Sequence, residues 1–196
     1  DSPMATYATA AGSGIIITGP NGVIISGPMT NATLHQTTED PIGSWTISGV
    51  SDTVILKERL AYPLPSSADV TAQTQEYDSR TGTASTVMFA YVNANVGPSA
   101  PTVRKIANLT MGTDHGYGST VSYAARFDTL GVVCQALAQA DNLGFKVSQS
   151  GSGLIFDVYQ PQNLANNVRL DIYNNRIESS DYGYSVPEMT RAIVGG

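Results

Sequence analysis

Residues 14–50 combine short runs of branched apolar residues with stretches in which apolar and polar side chains alternate, and both patterns are typical of β-strands. Residues 14–18 and 23–26 are two runs of branched apolar residues, and the Pro-Asn-Gly between them is a strong turn signal because Asn and Gly accept positive φ. Residues 29–36 and 44–50 alternate with period two. These four segments predict an antiparallel β-meander.

The pattern changes after the meander. Residues 52–60 predict a short helix or an extended arm, and the proline-marked residues 61–67 predict a connector between subdomains. Residues 77–97 predict the first clear helix, and we expect either Thr81 or Thr83 to be its N-cap.

A second helix is predicted after Asp128, which is its expected N-cap. Its apolar face follows the spacing i, i+3, i+4, i+7, i+8 and consists of Leu130, Val133, Cys134, Leu137 and Ala138. Further strands are predicted at residues 106–111, 119–125, 145–148, 154–159, 168–173 and 181–186. Many antiparallel strands with two amphipathic helices indicate an α+β fold.

The composition argues against nucleic-acid binding and against a membrane-spanning helix. The 196 residues carry ten Lys and Arg against sixteen Asp and Glu, a formal net charge of −6. The longest basic run is Arg104-Lys105, so the basic cluster needed to bind a nucleic-acid backbone is missing. One cysteine allows no disulfide within the chain, and the apolar runs are strand-sized rather than long enough to span a membrane.

Three features invite a functional interpretation, and each has a simpler one. The glycines of residues 14–29 lack the lysine of a Walker loop, and a strand rather than a helix follows them, which favours a hairpin over a phosphate-binding loop. Asp114 and His115 lie together on a glycine-rich stretch but lack further metal ligands, so we interpret them as a solvated loop. Cys134 falls on the apolar face of its helix and is interpreted as a core residue.

Carboxylate pairs are the remaining candidates for chemistry. Glu39 and Asp40 are close in sequence, as are Glu76 and Asp78. Glycoside hydrolysis needs two carboxyl groups across a cleft, but positions on predicted loops favour solvated turn residues. The residues alone therefore assign no catalytic, cofactor-binding or metal-binding site.

Longer segments carry a resemblance that short motifs do not. They are GPMTNATL…WTISGVSDTVILKERLAYP (27–63), YDSRTGTASTVMFAYVNANVGP (77–98), ARFDTLGVVCQALAQADNLGF…FDVYQP (125–161) and VRLDIYNN…YGYSVPEMTRAIVGG (168–196). In this order they resemble a tail-tip, or baseplate hub, family of minor tail proteins from siphophages that infect actinobacteria. The clearest departure is at residues 171–174 (DIYN), where the family tends to carry a short acidic, leucine-containing turn.

The resemblance implies a structural virion protein rather than an enzyme. Such hubs use antiparallel β-barrel-like domains, assemble as a homotrimer and place a pseudo-sixfold ring around the DNA-exit channel. Residues 1–60 are then expected to form part of a hub barrel, and residues 61–196 an α+β subdomain with two amphipathic helices and the start of a further β region. The chain is expected to be a fragment that lacks N-terminal strands and a long C-terminal region of the family.

The resemblance also implies partners. They are other copies of the chain, the distal tail protein, the tail tube, the tape measure and tail-fibre proteins, with the host cell envelope beyond them and DNA only in transit. The protein is expected to be made in the host cytoplasm and to reside at the tail tip of the virion. The net charge of −6 would help an acidic channel repel DNA, or would serve only solubility.

We expect the hairpin at residues 14–29 to pack its apolar face inside the subunit, with its edges closed by a neighbouring copy. The sequence assigns no cofactor and no interface residues. Two alternatives stay open. Some tail-tip proteins carry cell-wall hydrolases, and β-rich domains with exposed aromatics bind carbohydrates. Tyr182 and Tyr184 are the candidates for the latter, and cross-strand packing is their simpler interpretation.

Overall fold

The computed structural model describes residues 6–7, 10, 12–20, 22–163, 166, 179 and 183. The chain divides into two compact units, residues 1–161 and 162–196, and every element with described bounds belongs to the first. In chain order these elements are β1 (Gly14–Gly19), β2 (Gly22–His35), β3 (Ser44–Gly49), α1 (Val54–Lys57), β4 (Asp78–Thr83), α2 (Ala84–Asn95), β5 (Leu109–Met111), β6 (Thr120–Ala125), α3 (Leu130–Ala140), β7 (Gly144–Ser150) and β8 (Gly153–Tyr159).

β2 is one continuous strand of 14 residues where the sequence pattern predicted two. Its first half pairs antiparallel with β1 and its second half pairs antiparallel with β3. The predicted meander therefore has three strands rather than four. Pro28 lies at the changeover between the two ladders, where a missing N–H interrupts little pairing.

Glycines allow the strands to come together at this changeover. A Cβ added to Gly27 would lie 1.8 Å from the carbonyl oxygen of Val50, and one added to Gly49 would lie 2.8 Å from the carbonyl oxygen of Pro28. Both neighbours are backbone atoms, which cannot swing aside as the end of a side chain can. Any side chain at Gly27 would therefore force two backbone segments apart.

The hydrophobic core surrounds α2, which is buried on most of its circumference. The helix packs against α3, β8 and the β4–β6 pair. The rings of Phe89 and Phe156 meet edge to face with centroids 5.3 Å apart. The hydroxyl of Tyr91, also fully buried, lies 2.6 Å from the carbonyl oxygen of Asp78 and 2.9 Å from that of Tyr123. Burial raises the pKa of Tyr91, so the phenol keeps the proton that it donates.

The other strands form two small sheets. β4 pairs antiparallel with β6, and the second sheet has the order β5-β8-β7, in which β8 runs antiparallel to β7 and parallel to β5. The α+β prediction is confirmed. Within the described residues the sheets are open and none closes into a barrel.

The helix predicted at residues 77–97 begins later than its pattern indicated. Asp78–Thr83 forms β4, because this segment finds a pairing partner in β6 some forty residues further along the chain. The helix starts at Ala84, and Thr83 is its N-cap, as one of the two candidates.

Asp128 is not the N-cap of α3, so that prediction was wrong. Thr129 occupies the cap position, and its hydroxyl accepts the N–H of Val132 at 3.3 Å. The carboxylate of Asp128 instead accepts the N–H of Arg126, two residues earlier, at 3.2 Å. Both residue types are good caps, and local sequence does not distinguish which of two neighbours takes the position.

Residues 52–60, predicted as a short helix or an extended arm, contain the short helix α1. The strands predicted at residues 145–148 and 154–159 are β7 and β8, which form a hairpin that turns at Gly151, whose φ is 59°. The strands predicted at residues 168–173 and 181–186 lie outside the described residues. In the described part of the chain, no helix is long and apolar enough to cross a membrane.

Candidate assembly surface

The sheet of β1, β2 and β3, here called the hairpin sheet, is tied to the rest of the unit by a buried polar cluster. The hydroxyl of Ser26 donates to the carboxylate of Asp52 at 2.6 Å and accepts the N–H of Gln149 at 2.7 Å. The N–H of Asp52 in turn donates to the carbonyl oxygen of Ser26 at 2.8 Å. Three segments, β2, the start of α1 and β7, therefore meet at one side chain.

A neighbouring contact strengthens the same junction. Thr53 is the N-cap residue of α1, yet its side chain makes no capping hydrogen bond. Its hydroxyl instead accepts the N–H of Val147 in β7 at 3.0 Å. The start of α1 is thus hydrogen-bonded to β7. Because Asp52, just before α1, binds Ser26, the same contacts hold the hairpin sheet in place.

Around and beyond this junction the hairpin sheet exposes large apolar side chains. Ile16 is 48% exposed, Ile17 50%, Ile24 69% and Ile25 45%. Adjacent residues of a strand point to opposite faces, so each pair of neighbouring isoleucines places apolar surface on both faces of the sheet. The expectation that this hairpin packs its apolar face inside the subunit is wrong for these four isoleucines. The described residues cover the hairpin only around Ser26 and leave the isoleucine side chains about half exposed or more.

The exposed apolar surface continues from the hairpin to β3. A groove of about 230 Å³ on one face is lined by Ile17, Ile25, Ile47 and Val50, among others. Further along, Leu34 and Trp45 are direct cross-strand partners and both remain more than one-third exposed. The apolar surface therefore spans all three strands.

This surface carries almost no charge. Residues 2–38 contain no Asp, Glu, Lys or Arg, and Glu39 and Asp40 are the only such residues between Asp1 and Asp52. Both lie in the connection between β2 and β3, at one end of the sheet. A face with large apolar side chains and no charge is typical of the buried centre of a protein interface.

The edges of the hairpin sheet are also open. β1 and β3 are its outer strands, and neither pairs with a further strand among the described residues. An unpaired strand edge presents N–H and C=O groups that another chain can extend by β-pairing. The sheet thus offers two faces and two edges for association.

Asp114 is bound to the start of α2, and the exposed His115 beside it stacks its ring on that of Tyr117, with centroids 5.2 Å apart. The carboxylate of Asp114 accepts the hydroxyls of Ser85 at 2.8 Å and Thr86 at 2.6 Å, and the N–H of Gly116 at 2.9 Å. Burial would raise the pKa of Asp114, but these hydrogen bonds hold it below its usual value. Among the described residues, no group of three His, Cys, Asp or Glu side chains could hold a metal ion.

The remaining candidates from the sequence lie apart from the hairpin faces. Cys134 is fully buried, and burial raises the pKa of its thiol to about 12. Asp40 shapes its own turn, accepting the N–H of Gly43 at 3.0 Å. Asp78 pairs with Arg80 at 2.8 Å, whereas the exposed Glu76 lies 4.0 Å from Arg126. The carboxylates of Glu76 and Asp78 therefore face different arginines.

Tyr182 and Tyr184 lie outside the described residues. Sequence reasoning missed the Ser26–Asp52–Gln149 cluster, since its members are separated by up to 123 positions and carry no local signal. It also missed the exposure of the hairpin. The paired neighbouring isoleucines break the alternation expected of a strand with one solvated face, which indicates apolar surface on both faces but not which partner covers it.

Comparison with protein-family models shows that this is a siphophage protein. The matching model describes the Siphovirus ReqiPepy6 Gp37-like protein and covers residues 1–196, the whole chain. The chain belongs to this family. A comparison with curated proteins found no match. The family membership supports a structural component of the phage particle.

Proposed function

We propose that this chain is a structural subunit of the siphophage tail tip, a baseplate hub protein that forms a ring at the distal end of the tail tube. The observation that supports this most is the hairpin sheet, with apolar side chains on both faces, two edges that no other described strand pairs with, and almost no charge. Contact between this apolar surface and water is unfavourable, and burial of the surface in an assembly removes that contact.

The size of this effect follows from the exposed isoleucines. The exposed fractions of Ile16, Ile17, Ile24 and Ile25 together amount to about two whole side chains. Burying a large aliphatic side chain contributes about 1.5–3 kcal/mol, so covering these four contributes about 3–6 kcal/mol per subunit. In a closed ring every subunit gains this amount once, which suits a permanent rather than a transient assembly.

In this proposal the ring is a homotrimer that surrounds the DNA-exit channel and connects the tube to the host-attachment parts. Its other partners are the distal tail protein, the tail tube, the tape measure and the tail-fibre proteins, with the host envelope beyond. DNA only passes through, and the net charge of −6 favours sliding over adhesion. The role is structural, without turnover of a substrate.

Imaging the intact virion by electron cryomicroscopy tests the proposal. The expected result is density for this chain in a closed ring at the distal end of the tail, with the hairpin sheet at a subunit contact. Absence of the chain from the particle, or its location away from the tail tip, would refute the proposal.

A pair of phage variants tests the hairpin sheet itself. Ile24→Lys places a charge on the most exposed isoleucine of the β1–β2 hairpin and should prevent incorporation of the protein into particles. Val103→Lys is the matched control, since Val103 is 75% exposed in a loop far from the hairpin in sequence. Normal tails with Ile24→Lys would show that this face is not an assembly contact.

A further inference from the structure

A cleft of about 430 Å³ opens where the C-terminal end of α3 meets the ends of β7 and β8. Three amide side chains line it: Gln135 and Gln139, one helical turn apart on α3, and Asn142 just after the helix. Asn142 has a φ of 51°, the left-handed conformation that ends many helices, and it thereby turns the chain into β7.

These amide groups are free. Within the described residues, none of the three side chains has a hydrogen-bond partner, although each carries two N–H donors and a carbonyl acceptor. Three unengaged amides in one cleft provide donors and acceptors side by side, without the rigid charge pattern that selects an ion.

Aromatic rings complete the cleft. Phe145 and Tyr159 both line it, and Tyr159 is 44% exposed. Tyr159 is the cross-strand partner of Gly144, and a Cβ added to Gly144 would lie 2.3 Å from its Cζ atom. The tyrosine ring therefore rests in the space that a side chain at Gly144 would take, which holds it at the wall of the cleft.

The cleft is also electrically neutral. None of its lining residues is an acid or a base. The nearest acid in sequence, Asp141, accepts the hydroxyl of Ser119 at 2.8 Å, and the ammonium group of Lys146 lies 5.9 Å from the centroid of the Tyr159 ring. A charged ligand would find no partner within the lining.

We propose that this cleft binds a neutral saccharide unit. Planar amides match neighbouring sugar hydroxyls, which also donate and accept at adjacent positions. Aromatic rings offer flat apolar surface to the C–H face of a pyranose. The volume falls within the roughly 300–1,000 Å³ that is typical of small-ligand sites. A peptide ligand is disfavoured because β7 contributes only its first two residues to the lining, too little for pairing along the strand.

The inference goes beyond the hub proposal and does not depend on it. Titration of the protein with uncharged trisaccharides of glucose, galactose, mannose and N-acetylglucosamine, followed by NMR and calorimetry, provides the test. At least one saccharide should shift the amide signals of Gln135, Gln139 and Asn142 saturably. An uncharged pentapeptide is the comparison ligand.

Variants locate the binding. Gln139→Ala and Gly144→Ala should each weaken binding about tenfold or more, the second by displacing the Tyr159 ring without changing its chemistry. Gln75→Ala and Tyr77→Ala alter exposed residues outside the cleft and should leave binding unchanged. Thermal unfolding of Gly144→Ala checks that the fold persists, and Gln139→Ala is at an exposed helical site where alanine is well tolerated.

Three results would overturn the inference. One is the absence of saturable shifts with every saccharide at millimolar concentration. Another is saccharide binding that Gln139→Ala and Gly144→Ala both leave intact. The third is binding of the pentapeptide in the cleft with no saccharide binding.

Discussion

Replacing Ser26 by alanine should loosen the hairpin sheet from the rest of the unit. The change removes one hydroxyl that both donates to the buried carboxylate of Asp52 and accepts the N–H of Gln149. Leaving a buried polar group without its partner costs about 1–3 kcal/mol, and two groups are affected here. We therefore expect a loss of about 2–4 kcal/mol in the free energy of unfolding.

Urea unfolding measures the total loss, and amide hydrogen exchange shows where it arises. The N–H of Gln149 should exchange faster in Ser26→Ala, whereas the N–H of Val147, which donates to Thr53 at 3.0 Å, should change less. Ser48→Ala is the matched control, an exposed serine in the same sheet. Equal stability of the two variants, with unchanged exchange at Gln149, would refute the role assigned to the Ser26 cluster.

Three further predictions follow from the packing. Gly27→Ala should lower the free energy of unfolding, measured with urea, by about 1–3 kcal/mol or more, since its Cβ would lie 1.8 Å from a backbone oxygen. Unchanged stability would contradict this crowding. Cys134 should resist iodoacetamide at neutral pH until the protein is unfolded, because burial raises its pKa to about 12, and rapid native labelling would argue against that burial. Asp114→Asn should cost roughly 1 kcal/mol at pH 7. Because the folded pKa of Asp114 is lowered, its contribution is present above the unfolded value of 3.8 and is lost as pH falls through the folded value. Wild type and Asp114→Asn should therefore converge in stability in acid, as pH-dependent thermal unfolding can show.

Much of the local structure could be predicted because it depends on neighbouring residues. The turn between β1 and β2, the apolar face of α3 and the hairpin at Gly151 all follow from residue type and short-range periodicity. The α+β class follows from their sum. Where two neighbouring residues were equally good N-caps, as with Asp128 and Thr129, the sequence did not show which one takes the position.

The errors have a common cause in distant partners. Asp78–Thr83 is a strand because β6 pairs with it. β2 is continuous because its pairing with β3 begins where its pairing with β1 ends. The candidate assembly surface was missed for the same reason. Paired isoleucines indicate burial on both faces, yet only the tertiary structure shows that no part of the described chain provides it.

By itself the sequence determined the types and order of most elements, the near absence of charge before Asp52 and, through matches along its whole length, the family. The tertiary structure alone decided that Ser26 meets Asp52 and Gln149, that Gly27 is crowded by Val50, and that the described residues leave the isoleucines of the hairpin sheet exposed. The physical reason is that periodicity arises from side chains a few positions apart. Closure of the fold instead depends on hydrogen bonds and contacts between residues far apart in sequence, whose register no local pattern records.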